Sequence, residues 1–215
     1  MPTLYGVNAS PFVRKVRVVL AEKGVPYDHE PVMPGNPDPE YRQMSPLGKV
    51  PAWRDGDRAF SDSSVICQYL ERVHPEPALY PSDPYDFARA LWFEEYADTA
   101  LIDVFGPKIF FPRVVGKRFM GKEPDETAIG KTIDEELPPR FDYLEGQLRG
   151  GPYLVGDRLT IADIAVASAF VNLVHGGVRP DGGRWPRLAK YVATHHERSS
   201  FAPLIVEEQA FLGLA

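Results

Sequence analysis

The chemistry of this sequence concentrates between Leu47 and Leu70, LGKVPAWRDGDRAFSDSSVICQYL. Val50-Pro51 opens a run with strand character, Val50 to Arg54. Proline has no N–H for a sheet ladder, so it belongs at a strand entrance, where a cis bond is tolerated. Asp55-Gly56 favours a tight hairpin into a second strand, Arg58 to Phe60. Ser61-Asp62-Ser63-Ser64 then supplies helix-starting residues, and Val65, Ile66, Tyr69 and Leu70 follow on one helical face. The first turn of such a helix offers free N–H groups and a positive dipole end beside hydroxyls, which suits a carboxylate. Asp62 is placed to take an ammonium of the same ligand. A zwitterionic amino-acid head satisfies both halves, and the backbone at Val50 can pair with a peptide-like ligand. The same residues also admit a plainer reading, in which Pro51 shapes a turn and Asp62 or Ser63 caps a helix.

These groups need a small sheet and helix ends to hold them. Thr3 to Val7 reads as a strand, and Asn8-Ala9-Ser10-Pro11 as a helix start with proline at the first position. Val13, Val16, Leu20 and Ala21 form an apolar face, Arg14, Lys15 and Glu22 a polar one, and Gly24 a stop. A second strand near Tyr27 to Val32 completes a parallel crossover unit. The proline-rich Pro31 to Pro39 leads to a short helix, Glu40 to Met44. The order is βαβαββα, an α/β domain over residues 1–74. A proline-rich linker, 75–84, separates it from an all-helical domain, 85–215.

In that second domain the spacing predicts a helix over Asp86 to Phe105. Gly106, Pro107, Pro112 and Gly116 predict a bend or loop from Phe105 to Met120. A long helix, Asp125 to Arg149, is expected to kink at Pro138-Pro139. Thr160 and Asp163 form a capping-box pattern ahead of Ile161 to Val174, a helix apolar nearly all round and expected at the centre. Two shorter helices follow, Trp185 to Arg198 and Phe201 to Leu212.

The chain has 215 residues, 44% hydrophobic and 12% aromatic, a globular composition. Thirty acidic against 24 basic residues give net −6 without a basic block, so nucleic acid is not an expected partner. The single cysteine, Cys67, rules out an intrachain disulfide framework, fits a reducing cytoplasm and reads as a small buried hydrophobe. No signal peptide is visible at Met1-Pro2-Thr3. Ile161 to Val174 is too short to span a bilayer, so no membrane role is expected. His195-His196 lacks carboxylate or cysteine companions at metal spacing, and no metal site is expected.

Taken together, the residues resemble the cytosolic glutathione transferase superfamily over essentially the whole chain, nearest its serine-type, theta-, phi- or zeta-like bacterial members. Ser10-Pro11-Phe12-Val13 resembles the active-site turn of the thioredoxin fold, with serine and valine in place of two cysteines. Val50-Pro51 is similar to the family's cis-proline, Asp62-Ser63 to its acidic-serine pair for the γ-glutamyl group, and Thr160 to Asp163 to its buried capping box. The fold implied is a thioredoxin-like domain followed by a helical bundle.

The resemblance implies that Ser10 activates the thiol of glutathione, a co-substrate, with no separate cofactor. A thiol of pKa about 8.5 is only a few per cent ionised at neutral pH, and lowering it by about two units needs roughly 2.7 kcal/mol. A charge-assisted hydrogen bond from the Ser10 hydroxyl supplies about 1.5–3 kcal/mol and a helix dipole up to about 1–2 more. Ser10 as a plain N-cap and Tyr5 as the thiolate donor are the competing readings. Lys49, Val50, Pro51, Asp62 and Ser63 are the implied glutathione contacts. Phe12, Phe105 and Phe111, with Phe110 and Phe119 as further candidates, are the implied apolar pocket for the second substrate. Asp98 is implied to reach the ligand of a partner subunit.

The function implied is a glutathione S-transferase that joins the thiolate to an apolar electrophile and acts as a cytoplasmic homodimer. A zeta-type glutathione-dependent isomerase and a non-catalytic binding or adapter protein of the same fold are the alternatives. Ser10 cannot form a mixed disulfide, which disfavours a thiol-disulfide reductase.

Overall fold

The structure is a computed structural model that describes residues 1–214, so Ala215, at the end of the expected second domain, lies outside it. The chain divides into two compact units, Met1–Tyr80 and Pro81–Ala215.

The first unit is built on a four-stranded sheet. Strands β1 (Thr3–Tyr5), β2 (Asp28–Glu30), β3 (Ala52–Asp55) and β4 (Arg58–Ser61) lie in the order β2-β1-β3-β4. β1 and β2 run parallel; β1/β3 and β3/β4 are antiparallel. The hairpin turns at Gly56-Asp57, between the paired Asp55 and Arg58, and Gly56 takes the positive φ of 58° that a tight turn requires. Leu4 and Trp53 stand opposite one another and are buried. The other face presents Tyr5 and Arg54, over which α2 (Pro39–Met44) lies, with the Tyr5 and Tyr41 ring centroids 6.4 Å apart.

Helix α1 (Pro11–Lys23) begins at the Ser10 cap, has Pro11 in its first turn and stops at Gly24 with φ 64°. Its expected polar face is not solvated. Arg14 and Lys15 are 0% and 1% exposed, and the whole run Val13–Leu20 is buried. The long stems lie in the interior while their heads reach polar groups, as Lys15 Nζ does at Ser64 Oγ (3.0 Å) and Arg17 Nε at the Tyr27 hydroxyl (3.0 Å). α3 (Ser63–Val73) packs against α1.

Residues 75–80, expected as linker, are held on the first unit. Glu71 accepts the Leu79 and Tyr80 N–H groups, and Lys23 bonds the His74 and Pro77 carbonyls and the Glu71 carboxylate. Glu76-Pro77 is a second cis bond that the sequence reading did not anticipate.

The second unit is helical throughout: α4 (Pro84–Glu95), α5 (Ile102–Phe105), α6 (Lys117–Met120), α7 (Glu126–Glu135), α8 (Leu137–Gln147), α9 (Ile161–His175), α10 (Pro186–His196) and α11 (Ala202–Leu212). π-helical stretches join α4 to α5 (Tyr96–Leu101) and α5 to α6 (Gly106–Gly116). The expected loop over 105–120 is therefore a widened helix. In an α-helix Pro112 would lack a bond and crowd the preceding turn, whereas a wider turn gives its ring room. The expected single helix over 125–149 is two, parted at Glu136, because Pro138 and Pro139 occupy the first turn of α8, where N–H groups need no helical partner.

α9 is buried along nearly its whole length. Its start has the predicted capping box: Thr160 N–H donates to Asp163 Oδ2 (3.0 Å), and Leu154 N–H and the Tyr191 hydroxyl donate to Oδ1 (2.9 and 3.1 Å). Burial nevertheless pushes the Asp163 carboxyl up to about 6. Phe105, Phe141, Phe170 and Trp185 stack edge to face within the same core.

Candidate functional site

Three chain segments of the first unit meet through close backbone approaches. At Gly6, just past β1, a Cβ would come 2.4 Å from Val13 Cγ2 of α1 and 3.3 Å from Val50 Cβ. Glycine alone lets the mouth of α1 and the Val50 loop approach that strand end so closely. Val50-Pro51 is cis, as expected. The Pro51 carbonyl then accepts the Asp62 N–H (3.3 Å), which joins the loop to the mouth of α3. The mouth of α1, the Val50-Pro51 loop and the mouth of α3 thus lie linked in that sequence.

At the first of these, Ser10 is 9% exposed and its Oγ accepts the Val13 N–H at 3.4 Å. That bond is long for a hydrogen bond, and as an acceptor bond it leaves the hydroxyl proton to donate elsewhere. At the second, Val50 is 8% exposed, and among the described residues its N–H and C=O carry no hydrogen bond. Lys49 is exposed, but its carbonyl is held from within by the Tyr41 hydroxyl (2.7 Å) and Ser45 Oγ (2.8 Å).

At the third, Asp62 is exposed and caps α3, its Oδ1 accepting the Ser64 and Val65 N–H groups at 2.9 and 3.1 Å. Asp62 has φ 87°, alone among the described non-glycine residues in having a positive value. With ψ 128° the residue lies outside the left-handed helical region that aspartate tolerates, a strained conformation that costs about 1–3 kcal/mol. Ser63 is buried at the first position of the helix. Capping and ligand binding are not alternatives at Asp62, since one carboxylate oxygen caps while the other remains to face a cation.

Tyr5 is half-buried between the Tyr41 ring and the Arg54 guanidinium, 5.9 Å from its centroid, on the face covered by α2. Phe12 is half-buried in the first turn of α1. In the second unit Phe111 is 45% exposed, but Phe105 is 0% exposed among the rings of Phe141 and Phe170. Phe105 is therefore packed within the helical core. Asp98 is half-buried on the Tyr96–Leu101 π-helical stretch. Among the described residues no group of three or more His, Cys, Asp or Glu side chains is placed to hold a metal ion, and no helix is long and apolar enough to cross a membrane.

The sequence reading missed Gly6, Tyr41 and Ser45. Gly6 had a legible signal, a glycine between a strand and a helix start. Tyr41 and Ser45 had none, because only the folded loop brings Lys49 to them.

Comparison with known proteins identifies the family of both units. Residues 4–78 match the family model of the glutathione S-transferase N-terminal domain, and residues 114–203 that of the C-terminal domain. The chain belongs to the cytosolic glutathione S-transferase superfamily. The GST-like protein YibF of Escherichia coli strain K12 is 33% identical over 93% of this chain and 96% of its own. Glutathione S-transferase Z2 of Arabidopsis thaliana is 31% identical over 96% and 91%. A theta-class glutathione S-transferase of Xanthomonas axonopodis pv. citri, solved with glutathione bound, superposes with TM-score 0.81 at 27% identity over 95% of each chain. Members of this superfamily use glutathione as co-substrate, with no further cofactor.

Proposed function

We propose that the protein is a glutathione transferase in which Ser10 donates a hydrogen bond to the thiolate of bound glutathione, which then attacks an apolar electrophile. The observation that carries this reading is the linked line of α1 mouth, Val50-Pro51 loop and α3 mouth. Each offers what one part of an extended γ-glutamyl tripeptide requires. The Ser63 N–H and hydroxyl at the start of α3 and the second oxygen of the Asp62 carboxylate suit the amino-acid head, the open N–H and C=O of Val50 suit the cysteinyl backbone, and Lys49 suits the terminal carboxylate. The sulfur then falls to Ser10, where the hydroxyl proton and the N-terminal dipole of α1 favour the thiolate over the thiol. Ser10 keeps its proton throughout. The S–C bond forms as the leaving group departs or as the electron pair of an activated double bond moves onto the acceptor.

Support from outside the chain comes from the Xanthomonas protein, which binds glutathione and has the same fold. Phe12, in the first turn of α1, remains a proposed apolar contact of the electrophile, and a homodimer the proposed assembly. The test is conjugation kinetics with a panel of electrophiles. Ser10→Ala is expected to stay on immobilised glutathione yet lose conjugation about 10²-fold or more, the scale of about 3 kcal/mol of lost thiolate stabilisation. Tyr5→Phe is expected to conjugate at the parental rate. The reverse result assigns the donor to Tyr5.

A further inference from the structure

The Lys49 carbonyl receives two side-chain donors, the Tyr41 hydroxyl at 2.7 Å and Ser45 Oγ at 2.8 Å, one helical turn apart. Both residues are buried, at 4% and 1% exposure, while Lys49 itself is exposed. A carbonyl has two lone pairs, so this one is saturated from beneath. The Lys49–Val50 peptide is planar and trans, and its C=O and N–H therefore point in opposite directions. Pinning the Lys49 oxygen inward turns the Val50 N–H outward, and among the described residues that N–H has no acceptor. Pro51 has no N–H to compete with it.

Arg42 fixes the rest of the loop. Its guanidinium bonds the Asn36 and Pro46 carbonyls at 2.7 and 3.2 Å and lies against Gly48, where a Cβ would meet Arg42 Cζ at 2.5 Å. Gly48 in turn accepts the Gly35 N–H and donates to the Ser45 carbonyl, both at 2.8 Å. The hydroxyls on Lys49 therefore act from a braced frame.

We propose that Tyr41 and Ser45 are positioning residues that aim the Val50 amide at the backbone of the bound thiol peptide, so that affinity for glutathione depends on two hydroxyls that never touch it. The inference rests on the glutathione reading and adds how one of its contacts is preorganised. Either hydroxyl alone still holds the carbonyl, so the two losses compound. Tyr41→Phe and Ser45→Ala are each expected to raise the glutathione KM about two- to fivefold and the pair together about tenfold or more, with kcat at saturation within about twofold, because Ser10 is untouched.

The experiment measures KM, kcat and calorimetric Kd for glutathione in the parent, both single variants and the double variant. It repeats the Kd with a glutathione analogue in which an E-alkene replaces the cysteinyl-glycyl amide, which removes the carbonyl acceptor that the Val50 N–H would meet. The expected result is that this replacement weakens binding strongly in the parent and much less in the double variant. A general loosening of the fold would not produce that coupling. Unchanged Kd in the double variant, equal replacement penalties in all forms, or a fall in kcat with unchanged KM overturns the inference. Should the double variant not fold, the same coupling read on Tyr41→Phe alone decides it. A parent that binds no glutathione defeats the underlying reading instead, and a parent that binds while the variants bind equally well defeats only this inference.

Discussion

At Ser10 a single hydroxyl caps α1 and, in the proposed site, donates to the sulfur, so its two roles must be separated by the substitution chosen. Alanine removes both and costs about 0.5–2 kcal/mol of stability through the lost cap. Threonine keeps a hydroxyl, and Ser10→Thr is expected to recover most of the stability in urea titration and a measurable part of the conjugation rate. Asp62 separates its roles differently. Asp62→Asn keeps an oxygen for the Ser64 and Val65 N–H groups and, being isosteric, leaves the strain at φ 87° as it is, but removes the negative charge. Stability is expected within about 0.5 kcal/mol of the parent, while calorimetric Kd for glutathione rises roughly tenfold. A large stability loss with unchanged Kd would make Asp62 a cap and nothing more. Both residues are legible in the sequence because their structural signals are local: Ser10 precedes a proline at a helix start, and Asp62 stands among serines ahead of an apolar periodicity.

Elements were legible where their ends are written in the chain and obscure where their surroundings decide. The start and stop of α1 follow from Ser10-Pro11 and Gly24, yet its sequence could not reveal that Arg14 and Lys15 are buried. Spacing assigns such cations to the solvent face, and only the packing of other segments around the helix reverses that. Over 105–120 the glycines and prolines read as breakers, but a chain flanked by apolar residues stays helical by widening its turns. At 136–139 the prolines began a new helix where a kink was expected. The meeting of β1, α1 and the Val50 loop at Gly6 gives the sharpest test at this scale. Gly6 has φ 152°, and Gly6→Ala places a methyl group 2.4 Å from Val13 Cγ2. The variant is expected to lose about 2–3 kcal/mol or more in urea unfolding, and any folded fraction is expected to bind glutathione poorly, because the methyl forces the α1 mouth and the Val50 loop apart. Parental stability and affinity would show that the junction is slack.

At the scale of the molecule, the overall division into an α/β unit and a helical unit was written in hydrophobic period and proline placement, whereas the contacts of the second substrate were not. Phe105, expected in that pocket, is part of the helical core, since an aromatic residue in a helix looks the same in sequence whether it faces a cavity or other rings. One global property does follow from a single buried group. Asp163 has its carboxyl raised from 3.8 to about 6 by burial, against the four hydrogen bonds that favour its charged form. The folded form thus binds the proton more tightly than the unfolded chain does. Asp163 contributes most below pH 3.8, and that contribution declines as pH rises through about 6, by about 3 kcal/mol in all. The unfolding free energy of the parent minus that of Asp163→Asn is expected to fall across this window and to be flat above it. A difference that rises with pH would mean that the hydrogen bonds outweigh burial.

The central claim is that the α1 mouth holds the sulfur of glutathione as a thiolate through the Ser10 hydroxyl. Its most direct test is the ultraviolet thiolate absorbance of bound glutathione, titrated with pH in the parent and in Ser10→Ala. The expected result is a bound thiol that ionises about two units below the free value of about 8.5 in the parent and returns most of the way in the variant. A bound thiol that ionises at the same pH in both proteins would contradict the account.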